Sequence, residues 1–137
     1  MYLRSVYPAF RTMRKIVVLC NYIHERKILL ENLMNSTDDV ERFKKEPQLK
    51  YFIGNVKAYS EGVDFSYADA MVIYSMNFSA TTYIQVRNRM CNKNREEPAN
   101  IYYLMLEGGI DRYIYDTVKQ KENFNTKIFY NIEGEQC

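Results

Sequence analysis

Three polar residues in the second half of the chain have the spacing of one helical face. Gln85, Arg89 and Asn92 stand four and three positions apart, within a helical pattern over residues 81–92. The planar guanidinium of an arginine binds two phosphate oxygens at once and stabilises charge on a phosphoryl group during its transfer. This face therefore predicts a row of hydrogen-bond donors on a packed helix, with incidental polar residues on a plain surface helix as the alternative. The neighbouring apolar stripe, which would hold the helix on the core, consists of Tyr83, Val86 and Met90.

A second candidate site lies in the loop after a predicted strand, in the sequence Glu61-Gly-Val-Asp. Gly62 has no side chain, so the backbone can turn tightly there and approach a ligand. Asp64 offers an acceptor to a ribose hydroxyl or to a neighbouring arginine. An ordinary turn after the strand is the alternative interpretation of these residues.

Several common chemistries lack the residues that they need. The only histidine, His24, stands at the start of a helical pattern, so zinc hydrolases and Ser-His-Asp triads are not supported. The three cysteines are widely spaced without a C-x-x-C pair, which indicates neither a disulfide framework nor a metal site. The chain has no G-x-x-x-x-G-K-S/T phosphate loop and no acidic box for magnesium, so alone it is not expected to hydrolyse ATP.

The elements that would position these residues follow from hydrophobic patterning. Runs that are apolar at consecutive positions predict strands with both faces covered, and they are residues 15–20, 50–56, 70–75 and 100–106. Helical patterns cover residues 23–34, 37–45, 81–92 and 110–121. Ser36 or Thr37 would cap the second helix, and the run from Lys127 to Asn131 is a candidate edge strand. Alternating strands and helices predict an α/β fold, a parallel sheet flanked by helices.

The predicted sheet suggests where a ligand would bind. Ligands of open parallel sheets lie beyond the carboxyl ends of the strands. The segments that contain Asp64 and Arg89 follow the second and the third predicted strand. We therefore expect both segments at that edge of the sheet.

The composition is that of one globular domain. The 137 residues are 47% hydrophobic and 26% charged, with a formal net charge of +2. That charge is too small to indicate a nucleic-acid-binding protein, so any electrostatic contact must be local. Two basic clusters without acidic residues exist, at residues 1–15 and 84–95. Because no apolar run is long enough for a membrane and no signal pattern opens the chain, a cytoplasmic protein is expected.

The segments and their order resemble the C-terminal RecA-like domain of superfamily-two helicases, most of all the chromatin-remodelling and phage members. The opening Asn55-Val-Lys-Ala, followed by Glu61-Gly-Val-Asp, is similar to motif V. Gln85 and Arg89 resemble motif VI, in which a glutamine is followed four and seven residues later by arginines. The first strand and helix look like motif IV, and residues 104–114 resemble the closing strand and helix of the family.

This resemblance, which runs from about residue 15 to residue 121, implies partners, cofactors and site residues. The partners would be a preceding RecA-like lobe and nucleic acid, DNA rather than RNA. The intact two-lobed enzyme would use ATP and Mg²⁺, and this chain alone would bind neither. Gln85 and Arg89 would be catalytic. Cofactor contacts would come from Gly62, Asp64 and Lys93, and nucleic-acid contacts from Asn21, Tyr22, Lys57, Tyr59 and Ser60.

Two features depart from the family pattern. Asn92 occupies the place of the second motif VI arginine, which leaves Arg89, Lys93 or Arg95 to supply that charge, or leaves a weak ATPase. The family also has a short strand ending in glycine before the helix that carries Phe43 here. In this chain Leu33-Met-Asn-Ser-Thr-Asp passes directly between two helices, so we expect a sheet that is one strand short or differently ordered at this edge.

The chain is expected to divide into three segments. They are a linker or docking segment at 1–14, the helicase C-terminal RecA-like domain at 15–122 and a C-terminal extension at 123–137. Two other functions stay open beside that of a motor lobe. A non-catalytic helicase-like module that docks onto a nuclease or replication protein fits Asn92 and the absent strand. A small flavodoxin-like nucleotide-binding protein is argued from the predicted sheet alone.

Overall fold

The structure is a computed structural model that describes residues 12–56, 63–74, 80–104, 126–129 and 132–136. Its strands are β1 (Ile16–Cys20), β2 (Ser36–Thr37), β3 (Tyr51–Asn55), β4 (Ala70–Ile73), β5 (Asn100–Leu104), β6 (Thr126–Phe129) and β7 (Ile132–Gln136). In the described residues these seven strands form one sheet in the order β2-β3-β1-β4-β5-β7-β6. All pairings among β1 to β5 are parallel, so the predicted α/β architecture is confirmed.

Because the parallel strands are in register, their amino ends lie side by side along one edge of the sheet, and their carboxyl ends lie along the opposite edge. Ile16 at the start of β1 is paired with Tyr51 on one side and with Ala70 on the other. At the opposite end, Cys20 is paired with Asn55. The residues just before β1, β3 and β4 are therefore neighbours in space, as are the residues just after β1 and β3.

The helices among the described residues are α1 (Ile23–Asn32), α2 (Val40–Lys45) and α3 (Ala80–Met90). None of them is long and apolar enough to cross a membrane. The predicted bounds of α1 and α3 are close to the observed ones, but α2 begins after the predicted start. Asp39 is its N-cap, because Asp39 Oδ1 accepts a hydrogen bond of 3.1 Å from Arg42 N. The proposed caps were wrong, since Ser36 and Thr37 belong to a strand.

The strand expected to be missing is present as β2. It pairs in parallel with the start of β3 and forms the sheet edge, so the prediction of an absent strand was wrong. Asn35, directly before it, has a φ of 59°. The carbonyl of Asn35 accepts hydrogen bonds from Lys50 N at 2.8 Å and Tyr51 N at 3.1 Å, which fixes this turn against β3. Asparagine here adopts the left-handed conformation that glycine adopts most easily.

Both faces of the parallel sheet are buried, as the continuous apolar runs predicted. One face packs beneath α1 and includes Val18, Leu29 and Ile53. The other face packs beneath α2, α3 and the segment 63–68. Its fully buried side chains include those of Phe43, Phe52 and Phe65. The ring centroids of Phe43 and Phe52 are 5.7 Å apart, and those of Phe52 and Phe65 are 5.5 Å apart. Val86 and Met90 anchor α3 on this second face, as its apolar stripe predicted, while the side chain of Tyr83 lies outside the described residues.

The described C-terminal strands extend the sheet with an antiparallel hairpin. β6 is the sheet edge and confirms the candidate edge strand, and β7 lies between β6 and β5. The sequence of β7, Ile-Glu-Gly-Glu-Gln, has no apolar run and was not predicted. The predicted helix at 110–121 lies outside the described residues. Cys91 is in a disulfide whose partner also lies outside them, which the scattered cysteines did not lead us to expect.

We predict that Asn35→Val destabilises the fold by about 1–2 kcal/mol, because a β-branched residue is strained at positive φ. Asn35→Gly should leave stability nearly unchanged, since glycine adopts this conformation without a steric penalty. Urea unfolding of the two variants and the parent chain measures the difference. Equal loss of stability in both variants would mean that the side chain of Asn35, and not its backbone angle, is what matters.

Candidate nucleotide-facing and nucleic-acid sites

The carboxylate of Asp64 is the centre of a hydrogen-bond network that joins the loop before β4 to the end of α3. Asn92 Nδ2 donates to Asp64 Oδ1 at 2.9 Å, and Asn94 Nδ2 donates to Asp64 Oδ2 at 3.2 Å. The backbone N of Ser66 donates to Asp64 Oδ1 at 2.9 Å. The structure thus brings Asp64 together with two residues that follow it by 28 and 30 positions in the sequence.

Hydrogen bonding sets the charge state of Asp64. Partial burial acts to raise the pKa of this carboxyl group, but hydrogen bonds from Asn92, Ser66 and Asn94 outweigh it and lower the pKa to about 2. Donors that stabilise the ionised form lower the pKa of a carboxyl group. Asp64 therefore remains an anion throughout the neutral range and holds its donors in place.

Arg89 is attached to the same loop through its backbone. Phe65 N donates to Arg89 O at 2.7 Å, so the residue after Asp64 is fixed against the last turn of α3. The side chain of Arg89 is half-buried, and its Nε is buried without a hydrogen-bond partner in the described part of the chain. Buried polar atoms in folded proteins are normally paired, so an unpaired donor at this position is unusual.

The other residues predicted to face the nucleotide surround this network to different extents. Gln85 lies on α3 one helical turn before Arg89 and is half-buried. Lys93 is exposed in the turn after α3. Gly62 lies outside the described residues. Gln85, Arg89, Lys93 and Asp64 are therefore close in the fold, on or beside α3.

Arg95, one of the replacements suggested for the missing arginine, is engaged with the backbone. Its Nη1 donates to Ser66 O at 3.0 Å and to Ala68 O at 2.6 Å, and its Nε donates to Glu97 O at 2.6 Å. Burial lowers the pKa of Arg95, although the nearby acidic groups act to raise it. This guanidinium holds the loop after α3 against the loop before β4, and so it is not a free phosphate ligand.

The network does not lie at the carboxyl ends of the strands, where we expected it. Arg95 binds the carbonyls of Ser66 and Ala68, which come directly before β4 begins. At the same edge, Asp69 N donates to Lys15 O, directly before β1 begins. The segment 63–68 packs on one face of the sheet and leads to the start of β4. Asp64 and Asn92 consequently lie toward the amino ends of the strands.

The predicted nucleic-acid residues that the structure describes do lie at the carboxyl ends. Asn21 and Tyr22 follow β1, and Asn55 Nδ2 at the end of β3 donates to Asn21 O at 3.1 Å. The ring of Tyr22 is exposed and stacks on that of His24, with centroids 5.6 Å apart. Lys57, Tyr59 and Ser60 continue from β3 but lie outside the described residues. The candidate site therefore consists of two separate groups of residues.

A family profile described as "Helicase conserved C-terminal domain" matches residues 3–94. The chain belongs to this family. Among the described residues of this helicase domain, no group of three histidine, cysteine or acidic side chains is arranged to hold a metal ion.

Relatives of this helicase domain are much longer proteins. The chromatin-remodeling ATPase INO80 of Kluyveromyces lactis is 23% identical over 111 residues, which are 81% of this chain and 8% of that protein. The lymphoid-specific helicase of Homo sapiens is 23% identical over 119 residues, 82% of this chain and 14% of that protein. The chain thus spans only a small part of these relatives.

A solved structure confirms the RecA-like fold that the resemblance implied. The C-terminal part of the Fun30 ATPase domain superposes with a TM-score of 0.70 at 16% sequence identity. The match covers 83% of this chain and 44% of that one.

Two residues of this helicase domain that contact the site were missed in the sequence. Asn94 contributes as many hydrogen bonds to Asp64 as Asn92 does, but it follows no helical spacing because α3 has already ended. Asn55 connects the ends of β1 and β3, and in the sequence it was noted only as the first residue of the motif V resemblance, without a role. Both residues act through loop contacts that a periodic pattern does not reveal.

We predict that Asp64→Asn lowers the stability of the helicase domain at pH 7, because an amide nitrogen would then face an amide donor. The folded pKa of about 2 is below the ordinary value of 3.8. The carboxylate therefore stabilises the fold above about pH 4, and this contribution is lost as the pH falls toward 2. Urea unfolding of both proteins from pH 7 downward should show the difference shrinking. The exposed Asp38→Asn is the charge-matched control, and a difference that is independent of pH would contradict the role of the Asp64 charge.

Proposed function

We propose that this chain is the C-terminal motor lobe of an ATP-dependent nucleic-acid helicase or translocase. The observation that supports it most is the state of Arg89, whose backbone is fixed to the Asp64 loop while its buried Nε has no partner in the described residues. An arginine prepared in this way suits a phosphate that another lobe presents. The chain alone is not expected to hydrolyse ATP, because its sequence has no phosphate loop.

On the nucleotide side, Arg89 would donate to phosphate oxygens and Gln85 would contact the nucleotide beside it. ATP and Mg²⁺, bound mainly by the preceding lobe, would supply the phosphoryl group and neutralise its charge. Asp64 would act as a positioning residue, since its carboxylate fixes Asn92 and the end of α3. Gly62 and Lys93 would complete the contacts with the nucleotide from this side.

On the nucleic-acid side, the loops after β1 and β3 would hold the phosphate backbone. Asn21 and Tyr22 belong to the first loop, and Lys57, Tyr59 and Ser60 belong to the second. Closing and opening of the two lobes around ATP would move these loops along the strand. The names of the relatives, chromatin-remodeling ATPases among them, favour DNA as the substrate and an intracellular protein.

A second function, that of a non-catalytic docking module, is favoured by Asn92. The family pattern has an arginine at this position, and Asn92 instead donates to Asp64 Oδ1 and to Arg89 O. A lobe without that arginine could bind partners without driving ATP turnover. Reading the coding sequence upstream of Met1 separates the two functions. A phosphate loop and an acidic box in frame favour the motor lobe, and a stop codon favours the docking module.

In a protein that joins this chain to its phosphate-binding lobe, we predict that Arg89→Ala reduces nucleic-acid-stimulated ATPase activity by about 10³-fold. The loss arises because Arg95, the other arginine considered for this role, is bound to backbone carbonyls. Steady-state phosphate release with and without DNA measures the effect. Arg42→Ala, which removes an exposed arginine on α2, should retain the parent activity.

Circular dichroism and thermal unfolding show whether the Arg89→Ala protein is folded. Turnover at the parent rate by a folded Arg89→Ala protein would remove the assignment of Arg89. A parent protein that carries both lobes and has no ATPase activity would instead support the docking module.

A further inference from the structure

A groove of about 750 Å³ crosses the amino edge of the sheet, on the side away from Asn21 and Tyr22. Its walls come from the residues before β1, β2, β3 and β4 and from the end of α2. Among its lining residues, five are basic and one is acidic: Arg14, Lys15, Lys44, Lys45, Lys50 and Asp69. The lining of this groove is therefore strongly basic, although the net charge of the whole chain is only +2.

The fold explains why these charges gather. Because Ile16, Tyr51 and Ala70 are in register, the residues before them are neighbours at one edge of the sheet. Those preceding residues are Lys15, Lys50 and Asp69. The short helix α2 ends at the same edge with Lys44 and Lys45 in its last turn.

Groups that would repel an anion in this groove are neutralised by the protein. Lys15 Nζ donates to the carbonyls of Phe43, Glu46 and Leu49, the acceptors at the end of α2 and in the turn after it. The carboxylate of Asp69 accepts hydrogen bonds through Oδ2 from Arg14 N at 2.6 Å and Lys15 N at 2.9 Å. The negative end of the helix and the one carboxylate among the described lining residues are thus both occupied.

Three basic side chains of the groove are exposed to solvent, and they belong to Arg14, Lys44 and Lys45. Lys45 forms an ion pair of 3.8 Å with Glu41, but both side chains are about three-quarters exposed, at 76% and 74%. An ion pair so exposed contributes little and exchanges easily for another anion. Lys44 Nζ lies 5.9 Å from the ring centroid of Tyr67, another residue that lines the groove.

We propose that this groove binds the phosphate backbone of double-stranded nucleic acid, as a second contact separate from the loops after β1 and β3. Lysine is a strongly hydrated point charge that suits phosphate, and it is depleted in protein–protein interfaces. Backbone contacts of nucleic-acid-binding proteins come from Lys and Arg together with Asn and Gln, and Asn35 and Gln48 also line the groove. The charge and the residue types therefore favour nucleic acid over an acidic protein.

The groove can be tested on the 137-residue chain itself, without ATP and without a second lobe. The probe is a fluorescently labelled 30-base-pair DNA duplex, titrated by anisotropy at several salt concentrations. Lys44→Glu and Arg14→Glu change the charge on two walls of the groove. Lys27→Glu, an exposed lysine on α1, is the matched control with the same change of charge.

Each groove variant should bind the duplex more weakly than the Lys27→Glu control. The slope of log affinity against log salt should fall by about one unit for each variant, as expected for the loss of one phosphate contact. Affinities equal to that of Lys27→Glu, or no binding of the duplex by the parent chain at low salt, would overturn the proposal. So would groove variants that bind duplex normally but lose affinity for poly-glutamate, which would indicate an acidic protein partner.

The outcome is independent of the motor function. A chain that fails as an ATPase lobe can still bind the duplex through this groove, and an active motor lobe can lack the contact. Thermal unfolding of the three variants excludes a general loss of structure as the cause of weaker binding.

Discussion

The other features of the structure depend on one constraint, which is that its parallel strands form a sheet with both faces buried. A parallel sheet can be completed only by connections that cross from one edge to the other, and these connections must cover both faces. Here α1 covers one face, while α2, α3 and the segment 63–68 cover the other. The side chains before the strands and those after them are consequently held about a strand length apart. Two ligand surfaces can therefore exist on one small domain without competing for the same residues.

The network around Asp64 connects these surfaces to the covering layer. Asp64 accepts from Asn92 and Asn94, and the next residue, Phe65, is buried against Phe52 and bonded to Arg89 O. A movement of the end of α3 would therefore be transmitted to Asp64 and Phe65, because hydrogen bonds join these residues directly to Asn92 and Arg89. The link is made by hydrogen bonds to a permanent anion, so it does not depend on pH in the neutral range.

The sequence was sufficient where burial determines the structure and insufficient where single polar contacts do. Continuous apolar runs predicted β1, β3, β4 and β5, and the stripe of Val86 and Met90 predicted the orientation of α3. β2 escaped prediction because two residues, Ser and Thr, carry no apolar pattern and are placed by the backbone of Asn35. The start of α2 was misplaced because Thr37 and Asp39 are both residue types that cap helices. The hydrogen bond from Arg42 N to Asp39 Oδ1 identifies Asp39 as the cap, while Thr37 Oγ1 accepts from Asp39 N. The position of Asp64 was predicted at the wrong edge because its segment packs on the sheet face and leads to the start of β4.

Asn92 shows why a residue type alone does not define a site. Its side-chain nitrogen donates to Asp64 Oδ1 and to Arg89 O, and its oxygen accepts from Asn94 N at 2.9 Å. An asparagine so occupied would lose these hydrogen bonds if it turned toward a phosphate, and it has no charge to offer in return. An arginine in the same place has a longer side chain and could reach past Asp64. The asparagine at this position therefore acts as a structural link between Asp64 and the end of α3.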